Sequence, residues 1–491
     1  VAGAALSLLW VVGRSVRVEG HKQQQQPQQQ PPFPRGADMQ DPLVGEGAEK
    51  RVHSQRMVRE VMHLIPVETP VPKHPFPDMP PPMIGYTLKR VMIFARHGDR
   101  TPCHSRIGST YRMQPEEWEY WESTLPDEQT REHWSDLSPP VNYKNPDRVI
   151  EVRSKQKPPL GQLTLHGAAQ LRRLGKRIRR HYLETCNLIP TSLADCENSG
   201  AYLFVRSTNT TRTLQSAQNL LLGLYPVELR RDIIPILIRE DYADETMICT
   251  LDFRQPCKRF IQVLKARSDF MGYHLSPLDV FVEGLLRETF GYSTEENIVW
   301  SQVRDMLECQ HQHSLELLPG TSDQLRQATN FLSYDRWRKL YASRVVCRLS
   351  IGRLVGEIVE HLANESSPPL AIFLCHDHTL IPLLGALRGS SQDMSWPPFS
   401  SVLVFELFER EGEDYVRVSY NKRILDLGSW GEFCPFELFV ESVEDTIPDD
   451  FERECAELPE EERTDLTQHS DEDMEAAQRR NHRPRGGNVM E

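Results

Sequence analysis

A chain of 491 residues, 39% of them hydrophobic and 26% charged, carries enough apolar material for a large core, either several domains or one with a subdomain. Its formal net charge of -13 at pH 7 excludes general affinity for nucleic acid or for an anionic membrane surface. Ten cysteines without a CxxC pair exclude a zinc ribbon and a dense disulfide framework but leave room for a few bridges, of which Cys434 with Cys455 is the first expected.

Residues 1–12 are almost wholly apolar and are followed by Arg14 and Arg17. The run is short of the ~20 residues that span a bilayer. It reads as the remnant of a signal, an anchor or an organelle-targeting peptide, or as an artefact of the gene boundary. Gln and Pro dominate residues 23–34, and a second Pro-rich run fills 66–82, so residues 1–83 are expected to be a leader and disordered linker.

The first strand is predicted over 86–95, where Val91-Met92-Ile93-Phe94-Ala95 gives way abruptly to Arg96-His97-Gly98-Asp99-Arg100-Thr101-Pro102. Residues 103–159 are polar, bear Trp118, Tyr120, Trp121 and Trp134, and read as a long functional loop or lid. After Gly161-Gln162-Leu163, Thr164 is a plausible N-cap for a helix with Leu171, Leu174, Ile178 and Tyr182 on one face and a solvated row of arginines on the other. A second buried strand, 201–205, ends in Arg206-Ser207-Thr208-Asn209, and a helix follows with Leu214, Ala217, Leu220 and Leu221 in register. Residues 226–337 are mainly helical and read as an inserted cap. One long helix is predicted over 338–363, then a third buried strand, 371–375, which ends in His376-Asp377-His378-Thr379. A closing pair of strands is predicted over 401–409 and 414–420. The acidic segment 457–491 has too little apolar material to fold and is expected to be a disordered tail.

Three buried strands thus each release charged side chains at the carboxyl end, where parallel α/β sheets form their binding crevice. If the strands are neighbours, Arg96, His97, Arg100, Arg206, His376 and Asp377 converge. Planar guanidinium forks suit a tetrahedral phosphate. An imidazole unprotonated on its attacking side takes the phosphoryl group, and a carboxyl protonates the leaving alkoxide.

The set resembles the histidine acid phosphatase family, branch 2 of the histidine phosphatase superfamily. The resemblance rests on Arg-His-Gly-Asp-Arg-Thr-Pro at 96–102, Gly-Gln-Leu-Thr at 161–164, Arg206-Ser207-Thr208 with Arg212-Thr213, and His376-Asp377 with Thr379. It implies an α/β/α sandwich around a mainly parallel sheet, spanning 84–225 and 338–456, with a mostly α-helical cap at 226–337. It also implies His97 as phosphorylated nucleophile, Asp377 as proton donor, and Arg96, Arg100, Arg206 and His376 as phosphate ligands, with no metal and no cofactor. Within the family the chain is most similar to the lysophosphatidic acid phosphatases, on residues 204–226, Trp396-Pro397-Pro398-Phe399 and Cys434-Pro435-Phe436. That similarity implies a phosphomonoester substrate of lysophospholipid type, and a mitochondrial or membrane-associated location held by the N-terminal apolar stretch. Asp99 departs from that subgroup, which carries alanine, and follows the wider family.

Alternatives remain at this stage. Phytases and inositol phosphate phosphatases are family neighbours, usually with a more basic cap than this one. A mutase-like phosphotransferase shares Arg-His-Gly but not the later elements, and a catalytically inactive phosphate-binding module has no need of both His97 and Asp377. Cys309-Gln310-His311-Gln312-His313 offers metal-ligand types but is expected at the surface. Asn209 and Asn364 both head glycosylation sequons, and the second is credible on a secretory route. Oligomeric state, monomer or dimer, is not written in the sequence.

Overall fold

The computed structural model describes residues 79–150, 157–239, 246–247, 257–264, 276–315, 321–387, 395–427 and 433–456. The N-terminal leader and the Gln/Pro-rich linker to residue 78, and the acidic tail from 457, lie outside the described residues.

Strand β1 (Thr87–Arg96) is the spine, and its last seven residues are buried without alternation, as a strand covered on both faces must be. It pairs in parallel with β7 (Leu370–Cys375), which pairs in parallel with β5 (Leu203–Ser207). β6 (Ile236–Ile238) and β4 (Pro140–Asn142) extend this parallel half. On its other edge β1 meets β8 (Val402–Arg410) antiparallel, followed by β9 (Glu413–Tyr420) and β10 (Arg423–Ile424), with β11 (Cys434–Pro435) also on β9. The order is β10-β9-β8-β1-β7-β5-β6-β4.

Alternate residues of the central strands feed two cores, because successive side chains point to opposite faces. Val91, Ile93, Ala95, Ile372 and Leu374 pack under α3 (Leu165–Ile178) and α4 (Thr211–Leu224). Met92, Phe94, Phe373 and Phe405 pack under α8 (Arg344–Ser350), α9 (Gly352–Ala363), α10 (Asp377–Ala386) and α11 (Phe436–Glu444). The result is the expected three-layer α/β/α sandwich. A third apolar cluster joins α5 (Pro277–Phe290), α6 (Trp300–Gln312) and α7 (Asp323–Leu340) to Ile107 and Tyr111, so part of the 103–159 region packs with the helices for which a cap was expected.

Three local expectations are corrected. The single helix over 338–363 is instead the end of α7, which stops at Leu340, followed by α8 and α9; Gly352, the first residue of α9, lies where a Cβ would strike the Thr446 carbonyl. The polar 103–159 region is not one loop. Its described residues hold the ribbon β2 (Arg106–Ile107) and β3 (Tyr111–Arg112), then α1 (Pro115–Ser123), α2 (Glu128–Leu137) and β4. Cys455, at the end of α12 (Phe451–Glu454), is bonded to Cys257 rather than to Cys434, which is a buried free thiol.

Candidate active site

The parallel pairing places Arg96, the last residue of β1, opposite Cys375, the last of β7. The loop after β1 and the start of α10 therefore leave the sheet side by side at its carboxyl edge. His97 N–H donates to the Cys375 carbonyl at 3.1 Å. Gly98 lies against Gly167 of α3, where a Cβ would collide with the Gly167 backbone, and its N–H donates to Ser216 Oγ of α4 at 3.1 Å. The Asp99 N–H is bound by Gln170 Oε1 at 2.8 Å. The loop that carries His97 is thus fixed by both helices of one face.

His97 is 1% exposed, and its Nδ1 lies 2.8 Å from the carbonyl oxygen of Gly98. A carbonyl only accepts, so the proton sits on Nδ1 and Nε2 keeps its lone pair. Burial, then the charges of Arg212, Arg96, Arg100 and His376, hold the imidazole well below its ordinary range. The neutral imidazole is favoured by these surroundings, with Nε2 the ring nitrogen that keeps a lone pair.

Asp377 opens α10 and is almost wholly buried. Its Oδ2 meets Arg96 Nη2 at 2.6 Å and accepts from Trp396 Nε1 at 2.8 Å, while Oδ1 accepts from the His378 N–H at 3.0 Å. Burial alone would raise its pKa, but Arg96, then His378, Arg304 and His97, prevail and hold the carboxyl well below its ordinary value. His376, the residue before, is also neutral, lowered by burial and then by Arg212. Its Nε2 lies 2.9 Å from Thr208 Oγ1, and Arg212 Nη2 lies 3.5 Å from its Nδ1.

Arg100 is held by Asp305 of the cap at 2.6 Å. The segment 396–399 completes the arrangement. Pro397 offers its carbonyl to Arg96 Nη1 at 2.5 Å, and Phe399 lies under Arg96 (4.5 Å), near His97 (5.7 Å) and Arg100 (5.9 Å).

The structure gathers five of the six residues singled out in the sequence: Arg96, His97, Arg100, His376 and Asp377. It does not bring Arg206 to them. Arg206 pairs with Phe373, two residues below the level of Arg96 and Cys375, which is about 7 Å along a strand. Its guanidinium meets Glu357 of α9 at 2.7 Å and Thr246 Oγ1 at 2.5 Å. The arginine that acts on both site histidines is instead Arg212, in the first turn of α4. It stands in the same sequence motif, and its place at a helix N-terminus, where anions bind, is the signal that separates it from Arg206.

The Cys309–His313 cluster is corrected too. His311 and Gln312 are exposed as expected, whereas Cys309 and Gln310 are buried. His313 Nε2 lies 2.7 Å from Asp99 Oδ2, and its Nδ1 lies 3.0 Å from Tyr120 Oη. No group of three or more metal-ligating side chains occurs among the described residues. Trp396, Phe399, Arg304 and Asp305 were not legible as site residues at all.

The profile of the histidine phosphatase superfamily (branch 2) matches residues 87–421, and the chain belongs to this family. Lysosomal acid phosphatase of Homo sapiens is 26% identical over 396 residues, spanning 76% of this chain and 82% of that protein. Prostatic acid phosphatase of Bos taurus is 29% identical over 318 residues, spanning 60% of this chain and 79% of that protein. The phytase of Klebsiella sp ASR1 shares the fold, with a TM-score of 0.52 and 17% identity over 77% of this chain and 98% of its own. The chain is a hydrolase of the acid phosphatase kind, acting on phosphoric monoesters.

Proposed function

We propose that this acid phosphatase works through a phosphohistidine on His97. The observation that carries the reading is the Nδ1–Gly98 carbonyl contact, which commits one ring nitrogen and leaves Nε2 free to attack. Arg96, Arg100 and Arg212 bind the phosphate and hold its charge through transfer, with His376 beside them. Arg212 takes the place first given to Arg206. Asp377 protonates the leaving alkoxide and then, as carboxylate, draws the proton from the water that cleaves the phosphohistidine.

The empty site keeps Asp377 ionised. A phosphate dianion arriving among the arginines offsets the positive field that depresses it, so substrate binding raises its affinity for a proton. Turnover therefore strengthens as pH falls and weakens as pH rises, the behaviour of an acid phosphatase.

For the alcohol half of the substrate we infer a lysophosphatidic acid. The resemblance of residues 204–226 and of Trp396-Pro397-Pro398-Phe399 to that subgroup supports this, as do the aromatic rings on the Asp377 side: Trp337 stacks on His378 at 5.0 Å and meets Trp396 at 5.7 Å. An inositol polyphosphate would call for a more basic wall. An oxidising, secretory-route compartment is supported by the Cys257–Cys455 bridge, by the exposed Asn364 sequon, and by a human relative named for the lysosome. Asn209 is 5% exposed and cannot carry a glycan. Among the described residues no helix is long and apolar enough to cross a membrane.

The test is a set of kcat/KM values for lysophosphatidic acid, inositol hexakisphosphate and nitrophenyl phosphate with the native enzyme and Asp377→Asn. The native enzyme should favour lysophosphatidic acid over the inositol ester. Asp377→Asn should lose at least ~100-fold more on the alkyl ester than on nitrophenyl phosphate, whose leaving group needs no proton. Equal losses would remove Asp377 from the acid role, and preference for the inositol ester would overturn the lipid assignment.

A further inference from the structure

Arg304 belongs to the cap, on α6, and stands next to the Asp305 that holds Arg100. It is 6% exposed. Its guanidinium lies over the ring of Trp396, 3.8 Å from the centroid, and its Nη2 approaches Asp377 Oδ2 only to 3.8 Å. That oxygen is already served by Arg96 and Trp396. Among the described residues Arg304 Nε has no hydrogen-bond partner. A buried guanidinium nitrogen whose donor is unfilled is costly, and the cost is removed when an acceptor arrives.

The position says which acceptor. Trp396 fixes Arg304 with its ring face and Asp377 with its indole N–H, so the guanidinium and the carboxyl are presented together on the same side of the pocket. Arg100 stands at the phosphate end, while Arg96 spans both ends, next to His97 in the chain and with its Nη2 on Asp377 Oδ2. The acceptor that reaches both Asp377 and Arg304 is the ester oxygen of the substrate.

We propose that Arg304 is a further substrate-contacting residue, a cap-borne cation that stabilises the leaving ester oxygen as negative charge builds on it. The step rests on the phosphohistidine reading above. The Nε2 lone pair of His97 forms the N–P bond while the P–O ester bond breaks, and its electron pair passes to the ester oxygen. Asp377 gives that oxygen a proton, the neutral alcohol departs, and Arg304 keeps all its own protons throughout. A poor leaving group, an alkyl alcohol, needs this help most, and nitrophenolate needs it least. The substrate class so favoured is the phosphate monoester of an aliphatic alcohol.

The experiment compares Arg304→Gln and Arg304→Lys with the native enzyme on a series of alkyl and aryl phosphates of graded leaving-group basicity, with trapping of the phosphoenzyme in parallel. Arg304→Gln should lose about 100-fold in kcat/KM on alkyl phosphates and less than about 10-fold on nitrophenyl phosphate. Arg304→Lys keeps the charge without the fork and should recover only about 10-fold of the alkyl loss, leaving a leaving-group dependence steeper than the native one. Losses of equal size across the series would overturn the proposal and leave Arg304 a purely structural cation. If Arg304→Gln does not fold, a leaving-group dependence in Arg304→Lys no steeper than in the native enzyme would overturn it equally. Absence of phosphoenzyme in the native protein would instead strike the phosphohistidine reading, so the two failures are distinguishable.

Discussion

A histidine attacks phosphorus well only when it is neutral, oriented and surrounded by charge that the phosphate needs. His97 meets these conditions by three separate means: the Gly98 carbonyl, the pinning of its loop by α3 and α4, and the arginines around it. The motif 96–102 announced most of this, because two arginines flanking a histidine at a strand end have little use except an anion. It did not say which later arginine joins them. Arg206 and Arg212 lie six positions apart in one run, and the choice depends on the register of β5 against β7, a tertiary fact. Replacing Arg212 by Ala should cost roughly 100- to 1000-fold in kcat/KM and weaken inhibition by inorganic phosphate in step. Replacing Arg206 by Ala should leave phosphate inhibition within a few-fold and lower the unfolding temperature, because it strips Glu357 of a buried partner. Phosphate inhibition lost with Arg206 and kept with Arg212 would contradict the assignment.

At the scale of elements, the strands were legible because each is a continuous apolar run, the signature of a strand covered on both faces. Helix breaks were not: α8 and α9 part at Ile351, and the glycine that opens α9 is packed against Thr446, ninety-four positions later in the chain. The closing pair β8 and β9 also hides a buried ion pair. Glu406 and Arg417 face each other across the ladder, at 2.6 and 3.0 Å, with Tyr182 Oη donating to the carboxylate at 3.0 Å. Burial pushes the Glu406 carboxyl up despite the pull of Arg417. Arg417→Met would strand that carboxylate beneath α3 and its continuation, and should destabilise the fold by about 3–5 kcal/mol. Glu406→Leu with Arg417→Met should recover most of the loss. Denaturant midpoints for the two variants check this, and a double variant as unstable as the single would show that packing, not the unpaired charge, carries the cost.

Across the whole molecule, the site is assembled from five stretches far apart in sequence: 96–100, 208–213, 304–305, 376–378 and 396–399. The first, second and fourth are strand exits or helix starts with a charge pattern of their own. The other two are ordinary when read alone. Arg304 and Asp305 look like any charged pair on a helix, and Trp396 like a core aromatic, until the cap is folded over the carboxyl edge of the sheet. Arg304 and Asp305 find their partners Asp377 and Arg100 about 70 and 200 positions away, and no local pattern encodes that docking. His313 and Asp99 make the same point, joining the end of α6 to the motif that carries His97. The cap is thus a wall of the site that touches Arg100 and Asp377, and the chemistry belongs to the joined structure.

Everything above turns on His97 becoming phosphorylated. The direct measurement is a millisecond alkaline quench of the native enzyme with a radiolabelled phosphomonoester, followed by peptide mapping of the trapped label. The expected result is phosphohistidine on the peptide containing His97, forming and decaying fast enough to account for turnover, and absent from an inactive His97→Ala. Steady turnover with no label on His97, or substantial activity in His97→Ala, would contradict the account.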